Sequence, residues 1–267
     1  MRQILIHPGF HKTGTSSIQH YLWLNREVLE PHLSLLMLRH MKPVVKDCAR
    51  FSRTGNPMDL VDLVSLLDDA VSENPPHPDR HLVVSSEGLS GHLPGWPGVP
   101  DYAAVPMMTS YIVGYFGETF PTADVRVVFT TRDGEGWLFS AYRHHLKGYR
   151  LTQDYVDFAR AHEGATALDK MAAEVAEAIA PVPVETLSMT DALQHPLGPG
   201  AALVGKLPIP AGALVATTPV GRGNEGPGDN VWKEYLALNR SDLTDDEVQA
   251  RKTELAEKHS VGGWRRI

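Results

Sequence analysis

Short apolar runs that alternate with long amphipathic segments dominate the pattern of hydrophobic positions in this chain. The runs at residues 4–6, 81–85 and 125–131 have the length of strands and predict buried β-strands. Shorter runs near residues 35–38 and 182–187 are two further strand candidates. Between the runs, helical spacing predicts a helix from residue 15 that breaks at Pro31, and then helices at residues 58–72, 105–120, 133–149, 153–163 and 166–180.

This order of elements predicts the α/β class: a three-layer α/β/α fold with a mainly parallel central sheet. Parallel strands need crossover connections, and helices on both faces then bury the sheet. Residues 33–57 favour a brief helix followed by a loop, and the Pro/Gly-rich segment 196–228 predicts a long loop near the functional site. Thr244 and Glu247 have the spacing of a capping box that opens a charged last helix. No repeat divides the chain, so residues 1–267 are predicted to form a single domain.

The segment of residues 4–19, ILIHPGFHKTGTSSIQ, carries the clearest chemistry. Gly9 and Gly14 bracket a loop between the first predicted strand and the first predicted helix. At such a junction, free backbone N–H groups and the positive end of a helix dipole converge, which favours an anion. Lys12 adds a positive charge, and His11 could also help to bind an anion. The residues that follow add donors to phosphate-type oxygens: Thr13, Gly14, Thr15, Ser16 and Ser17.

The spelling of this loop differs from that of a Walker A loop. The Walker sequence is G-x-x-x-x-G-K-[ST], with the lysine directly after the second glycine. Gly9 and Gly14 have the right separation, but Thr15 follows Gly14 and Lys12 precedes it. This shift argues against an ordinary nucleoside triphosphatase. A P-loop kinase of small molecules with a divergent loop is an alternative reading, and it would require Mg²⁺.

The amino-acid composition excludes several further classes of protein and of site. The 267 residues hold 25 Lys and Arg against 32 Asp and Glu, so the formal charge is −7. Without an overall basic field for nucleic acid, an anionic ligand has to be held by a local pocket. The single cysteine, Cys48, excludes an intrachain disulfide and a cysteine-based zinc cluster. Neither a signal peptide nor an apolar run of membrane-spanning length is recognised, so a cytoplasmic location is expected.

The sequence H-K-T-G-T-S-S at residues 11–17 resembles the 5′-phosphosulfate loop of sulfotransferases that use 3′-phosphoadenosine-5′-phosphosulfate (PAPS), in the form common in bacterial and carbohydrate-modifying members. The resemblance implies a P-loop-like fold, PAPS as donor and no metal. In this family an arginine after the third strand and a serine eight residues later bind the 3′-phosphate, and Arg132 and Ser140 match that spacing. A late loop closes over the same phosphate, and Arg222 and Gly223 lie in the corresponding region, although Glu225, Gly226 and Pro227 depart from the pattern of many bacterial relatives.

The resemblance also implies a base that accepts the proton of the acceptor hydroxyl. Family members use a glutamate or a histidine after the second strand, and this chain offers Glu87 first and His92 second. Either residue could instead be structural: Glu87 as a helix cap or ion-pair partner, His92 as an ordinary loop histidine. His7 is expected to pack in the interior. The pair His144–His145 is expected to face outward or toward the acceptor cleft, without the ligands of a metal site.

The resemblance therefore implies transfer of a sulfuryl group to an unidentified small-molecule or carbohydrate acceptor. A catalytically silent PAPS-binding protein is a further alternative. Residues 33–57, 91–104 and 141–165 are the segments expected to shape the acceptor site, where Trp96, Tyr102 and Tyr149 could either stack on the acceptor or simply pack.

Overall fold

The structure is a computed structural model that describes residues 2–220 and 230–259. One sheet contains five strands: β1 (Gln3–His7), β2 (Leu33–Met37), β3 (His81–Ser85), β4 (Asp124–Thr131) and β5 (Val184–Ser188). Their order across the sheet is β2-β3-β1-β4-β5, and every neighbouring pair is parallel. The predicted α/β class with a parallel central sheet is confirmed.

The helices connect these strands and flank the sheet. They are α1 (Thr15–Leu24), α2 (Arg26–Leu29), α3 (Lys42–Thr54), α4 (Leu63–Glu73), α5 (Val105–Thr119), α6 (Gly134–Gly148), α7 (Tyr155–Ala161), α8 (Leu168–Ala178), α9 (Met189–Gln194), α10 (Pro199–Val204), α11 (Ala211–Val215), α12 (Val231–Asn239) and α13 (Asp245–Lys258). Short 3₁₀ helices cover Leu38–His40, Pro57–Leu60, Glu87–Ser90 and Glu163–Thr166.

The alternation of side chains along each strand divides the core into two layers. Ile4 and Ile6 of β1 pack with buried residues of α3, α4, α5, α6 and α8 on one face. Leu5 packs with α1, α2 and α10 on the other face. Because successive residues of a strand point to opposite faces, one short apolar run supplies both layers. This explains why β1 is apolar at successive positions and does not alternate with polar residues.

Two stretches contain more regular structure than the sequence predicted. Residues 33–57 hold β2, at the strand candidate near residues 35–38, and then the 13-residue helix α3, where the sequence suggested only a brief helix followed by a loop. The segment 196–228, predicted as a loop, contains α10 and α11. Ala201, Leu203 and Val204 of α10 are fully buried against the layer of α1, so burial, and not local periodicity, fixes this short helix.

Other boundaries agree with the sequence or shift slightly. Both further strand candidates are strands, β2 and β5. The helix predicted over residues 58–72 is divided into the 3₁₀ helix Pro57–Leu60 and α4. The capping box of α13 is confirmed: the Thr244 side chain accepts from the N–H of Glu247, and the carboxylate of Glu247 accepts from the N–H of Thr244. None of the described helices combines the length and the apolar character that crossing a bilayer requires.

The strand order brings three loop segments to one edge of the sheet. β1 lies between β3 and β4, and all three strands run in the same direction. The segments after them therefore leave the sheet side by side, at the carboxyl edge where open α/β folds bind ligands. These segments begin with the loop before α1, with Glu87 and with Arg132, respectively.

Candidate active site

The loop between β1 and α1 presents unsatisfied backbone N–H groups. Gly9, Lys12 and Gly14 have positive φ angles of 61°, 66° and 86°, a backbone pattern that forms anion-binding concavities. Gly14 is the N-cap residue of α1, and no side chain caps this helix. Across the described parts of the chain, the N–H groups of residues 12–16 have no hydrogen-bond partner. Free donors therefore gather at the positive end of a helix dipole, as an anion site requires.

Close packing fixes the shape of this loop. A Cβ atom on Gly9 would lie 2.4 Å from Cγ2 of Thr15, and a Cβ atom on Gly14 would lie 2.4 Å from Sδ and Cε of Met189. Lys12 adopts a left-handed φ without being glycine. Such a conformation costs about 1–3 kcal/mol and is concentrated at functional sites. The conformation of Lys12 is therefore an observation that points to function, independent of its charge.

Hydrogen bonds within the loop and to neighbouring elements hold the loop in place. The hydroxyl of Thr13 donates to the carbonyl oxygen of Phe10 at 2.5 Å and lies 2.6 Å from the hydroxyl of Thr130 on β4. The indole of Trp137 donates to the carbonyl oxygen of His11 at 2.9 Å, and the N–H of His11 donates to the hydroxyl of Tyr102 at 3.0 Å. The hydroxyl of Thr13 is thus engaged inside the protein, and what this residue offers an anion is its backbone N–H.

The remaining hydroxyl residues of the loop differ in exposure. Thr15 is buried, Ser17 is partly buried and Ser16 is exposed. All three lie in the first turn of α1, where the N–H groups of Thr15 and Ser16 point out of the helix end.

Lys12 lies among further positive charges. Burial lowers the pKa of its ammonium group, and the carboxylate of Glu87 opposes that effect. Arg132, Arg143 and Lys147 lower the same pKa further through their own charges. Three cationic side chains thus act on Lys12, with a single carboxylate among the groups that affect it. An anion bound at the loop would relieve this repulsion.

Arg132 joins the end of β4 to the loop. Its Nη1 donates to the carbonyl oxygen of Lys12 at 3.1 Å, and its Nε lies 3.7 Å from the carboxylate of Asp133. A Cβ atom on Gly136 would lie 2.6 Å from Nη2 of Arg132, so the glycine leaves space for the guanidinium. Ser140 follows Gly136 by four residues on α6 and therefore lies on the same face, one turn farther along the helix.

Glu87 is the first residue of the 3₁₀ helix after β3 and is partly buried. Its Oε2 accepts a hydrogen bond of 2.5 Å from Nε2 of Gln19 on α1. Sequence analysis did not single out Gln19. The available signal was its distance of four residues from Thr15, which places both side chains on the same face of α1.

His92 belongs to an aromatic wall, which we define as His92, Trp96, His145 and Tyr149. The rings of His92 and Trp96 are parallel, with centroids 5.0 Å apart. Tyr149 meets Trp96 edge to face at 5.5 Å, and its hydroxyl donates to the carbonyl oxygen of Gly95 at 2.6 Å. Burial, together with the charge of Arg53, lowers the pKa of His92. The imidazole of His92 is thus biased toward its neutral form.

Burial keeps three further histidines, His7, His11 and His145, in their neutral form near pH 7, because it lowers the pKa of each. His145 is fully buried, and its Nε2 donates to the carbonyl oxygen of Pro94 at 2.8 Å. Of the two expected orientations, outward or toward the acceptor cleft, the first is wrong for His145. Burial lowers the pKa of His145 to about 4 and that of His11 to about 3, where the charge of Lys12 contributes. His7 is fully buried between Ser85 and Thr130, as packing predicts, with its pKa lowered by burial to about 4.

Arg222 and Gly223, which the resemblance assigned to the late loop, lie outside the described residues. Within residues 2–220 and 230–259, His, Cys, Asp and Glu side chains form no group of three or more that could hold a metal ion. Cys48 is buried on α3, and burial together with the carboxylate of Asp47 raises the pKa of its thiol to about 12. Its thiol is therefore protonated and packed in the core.

Comparisons with known proteins give likenesses among solved structures alone. No protein-family model matches the chain, and no curated protein sequence matches it either. Among solved structures, the chain is similar to the crystal structure of a sulfotransferase from Alicyclobacillus acidocaldarius, with a TM-score of 0.46 and 14% sequence identity. The match covers 97% of this chain and 95% of that one. At this level of similarity the match carries no information about activity.

Proposed function

We propose that this protein is a PAPS-dependent sulfotransferase. The observation that supports the proposal most is the hydrogen bond of 3.1 Å between Arg132 and the carbonyl oxygen of Lys12. It joins an open amide loop carrying an ammonium group to a guanidinium group, so two anion-binding units lie side by side at the carboxyl edge of the sheet. A donor with a phosphosulfate at one end and a ribose phosphate at the other is complementary to this pair. Glu87 supplies a carboxylate beside them.

In this proposal each unit binds one end of the donor. The backbone N–H groups of residues 12–16 and the ammonium group of Lys12 bind the 5′-phosphosulfate. Arg132 binds the 3′-phosphate through charge-assisted hydrogen bonds, and Ser140 adds a hydroxyl from the same side of α6. Arg222 and Gly223 are proposed to complete the 3′-phosphate site. His11 contributes through its backbone contacts to Trp137 and Tyr102, which fix the start of the loop.

The proposed reaction is an in-line displacement at sulfur. The acceptor oxygen or nitrogen forms a bond to sulfur while the bond between sulfur and the 5′-phosphate oxygen breaks, and its electron pair stays on adenosine 3′,5′-bisphosphate. Glu87 accepts the proton that the acceptor loses. Lys12 stabilises the charge that develops on the leaving oxygen, so the protein acts by positioning and charge neutralisation. His92 is the second candidate for the base, since a neutral imidazole can accept a proton.

Ligand binding tests the donor part of this proposal without an acceptor. Adenosine 3′,5′-bisphosphate alone should raise the melting temperature, because a ligand that binds the folded state stabilises it by mass action. ATP with Mg²⁺ should not raise it. The reverse result would favour the kinase alternative. Screening hydroxylated and amino acceptors with labelled PAPS then identifies the substrate.

Two substitutions separate binding from chemistry. Lys12→Ala should weaken adenosine 3′,5′-bisphosphate and lower turnover on the order of a hundredfold or more, because it removes charge stabilisation at the leaving oxygen. Glu87→Gln should leave that affinity unchanged and lower turnover by about 10²–10⁴-fold, the usual contribution of a general base. Lys170→Ala, at a side chain that is 78% exposed on α8, is the matched control. Unchanged turnover in Glu87→Gln would remove Glu87 from the mechanism and favour His92, whereas binding without any transfer by the wild type would favour a silent binding protein.

A further inference from the structure

Gln19 and Glu87 form a direct contact between two elements of the candidate active site. Nε2 of Gln19 lies 2.5 Å from Oε2 of Glu87. A carboxylate has only lone pairs to offer, so the amide has to present its N–H group in this contact. In the described part of the chain, this is the one hydrogen bond that the Glu87 side chain makes. The contact engages Oε2 and not Oε1.

Gln19 is attached to the element that forms the anion loop. It lies on α1, five residues after the N-cap Gly14. Glu87 follows β3, which pairs in parallel with β1. In this pairing His7 lies opposite Ser85. The carboxylate is thus held by a side chain that moves with the first turn of α1. The placement of the donor-binding amides and the orientation of the carboxylate depend on the same helix.

A glutamate side chain at the surface of a site has three rotatable bonds, and restricting them costs conformational entropy. The amide of Gln19 removes part of this freedom before any acceptor arrives. Charge-assisted hydrogen bonds are among the stronger polar contacts, so one such bond is enough to bias a half-buried side chain toward one orientation.

We propose that Gln19 is a positioning residue, which holds the carboxylate of Glu87 so that its second oxygen can accept the proton of the acceptor. This inference rests on the proposed function. Gln19 itself does not exchange a proton, because a neutral amide does not titrate in the working range. Its effect on the rate is exerted through Glu87 alone.

The substitution Gln19→Leu tests this role, because leucine keeps much of the volume and removes the donor. Turnover should fall by about tenfold to a hundredfold, since misplaced catalytic groups lose rates of this size. The KM for PAPS and the affinity for adenosine 3′,5′-bisphosphate should stay within twofold of the wild type. Gln249→Leu, the same substitution at an exposed position of α13, should leave both quantities unchanged.

A double-mutant cycle with Glu87→Gln shows whether the two residues act together. If Gln19 acts through Glu87, adding Gln19→Leu to Glu87→Gln should lower turnover by less than twofold, because coupled residues are not additive. Equal losses in both backgrounds would overturn the positioning role. The positioning role would also be overturned if Gln19→Leu had the same turnover as the wild type. That result would leave the proposed function intact.

A crystal structure of the Gln19→Leu variant provides a readout that does not need activity. The Glu87 side chain should occupy more than one orientation or a different one, with the loop before α1 in its wild-type position. An unchanged Glu87 in that structure would contradict the inference even if no acceptor had been found. Failure of the wild type to bind adenosine 3′,5′-bisphosphate would contradict the proposed function instead.

Discussion

Lys12 and Gly14 share a left-handed backbone, although only one of them is suited to it by chemistry. Glycine suits this φ at position 14, and a Cβ atom there would also overlap the side chain of Met189. Lys12 adopts this φ despite the strain, three residues before the first residue of α1. The sequence pattern of the loop indicated both residues, but it did not indicate the contact with Met189. Met189 is the first residue of α9 and directly follows β5.

Gly14→Ala should weaken binding of adenosine 3′,5′-bisphosphate by more than tenfold. The substitution strains the backbone by roughly 1–2 kcal/mol and displaces Met189 or the loop amides. Gly55→Ala is the matched control, because Gly55 has a φ of 61° and nothing within 4 Å of the added Cβ atom. Chemical denaturation should show lower stability in both variants, whereas calorimetric titration should show weaker binding in Gly14→Ala alone. Equal binding by both would mean that the contact with Met189 is unimportant.

At the scale of elements, β4 and α6 form a second strand–turn–helix unit beside β1 and α1. Asp133 caps α6, and its carboxylate accepts from the N–H of Gly136 at 2.6 Å. Arg132 stands between the two units and contacts both, through the carbonyl oxygen of Lys12 and the carboxylate of Asp133. The guanidinium is therefore oriented by two neighbours before any ligand binds.

Arg132→Gln should remove discrimination between adenosine 3′,5′-bisphosphate and adenosine 5′-monophosphate. Loss of charged hydrogen bonds worth about 1.5–3 kcal/mol corresponds to a decrease in bisphosphate affinity of roughly tenfold to a hundredfold. Affinity for the monophosphate, which lacks the 3′-phosphate, should change by less than threefold. Titration of both nucleotides against both proteins measures this. Equal losses for the two nucleotides would place Arg132 at the 5′ end or in the support of the loop.

The parts of the fold and of the candidate site that depend on local sequence pattern could be predicted from the sequence. Apolar runs located β1, β3 and β4, and the loop spelling located residues 11–17. Features fixed by long-range contact were missed. The hydrogen-bond partner of His145 lies 51 residues away at Pro94, and that of Glu87 lies 68 residues away at Gln19. Helix α10 is covered by the layer that contains α1. The assignments of Lys12, Arg132, Glu87 and the single domain stay predictions until binding and turnover are measured.

At the scale of the whole molecule, the sheet and its edge contain histidines that fold in their neutral form. Burial lowers the pKa of His7 and of His145 to about 4, and that of His11 to about 3. Each would bind a proton near pH 6.5 in the unfolded chain. Below that pH the unfolded state therefore takes up more protons than the folded state, and the free energy of unfolding decreases as the pH is lowered.

The acid limit of stability should accordingly shift in His7→Asn. The pKa difference for His7 corresponds to a loss of at most about 3 kcal/mol between pH 6.5 and pH 4. The variant should lose this pH-dependent part, so its unfolding free energy should fall less steeply over that range, even if it is less stable at pH 7. Urea denaturation at several pH values measures the slope. His77→Asn, at an exposed position, should keep the wild-type slope, and an unchanged slope in His7→Asn would contradict the assignment.

The bond from the N–H of His11 to the hydroxyl of Tyr102 has a consequence for how acceptor preference can be altered. Residues 91–104 include His92 and Trp96, and they also include Tyr102, whose hydroxyl accepts this hydrogen bond from the loop. Replacing residues 91–104 with a different sequence to change acceptor preference would also remove the hydrogen bond to the N–H of His11, unless a tyrosine is retained at position 102. Residue 102 is therefore a position to keep fixed when this stretch is diversified.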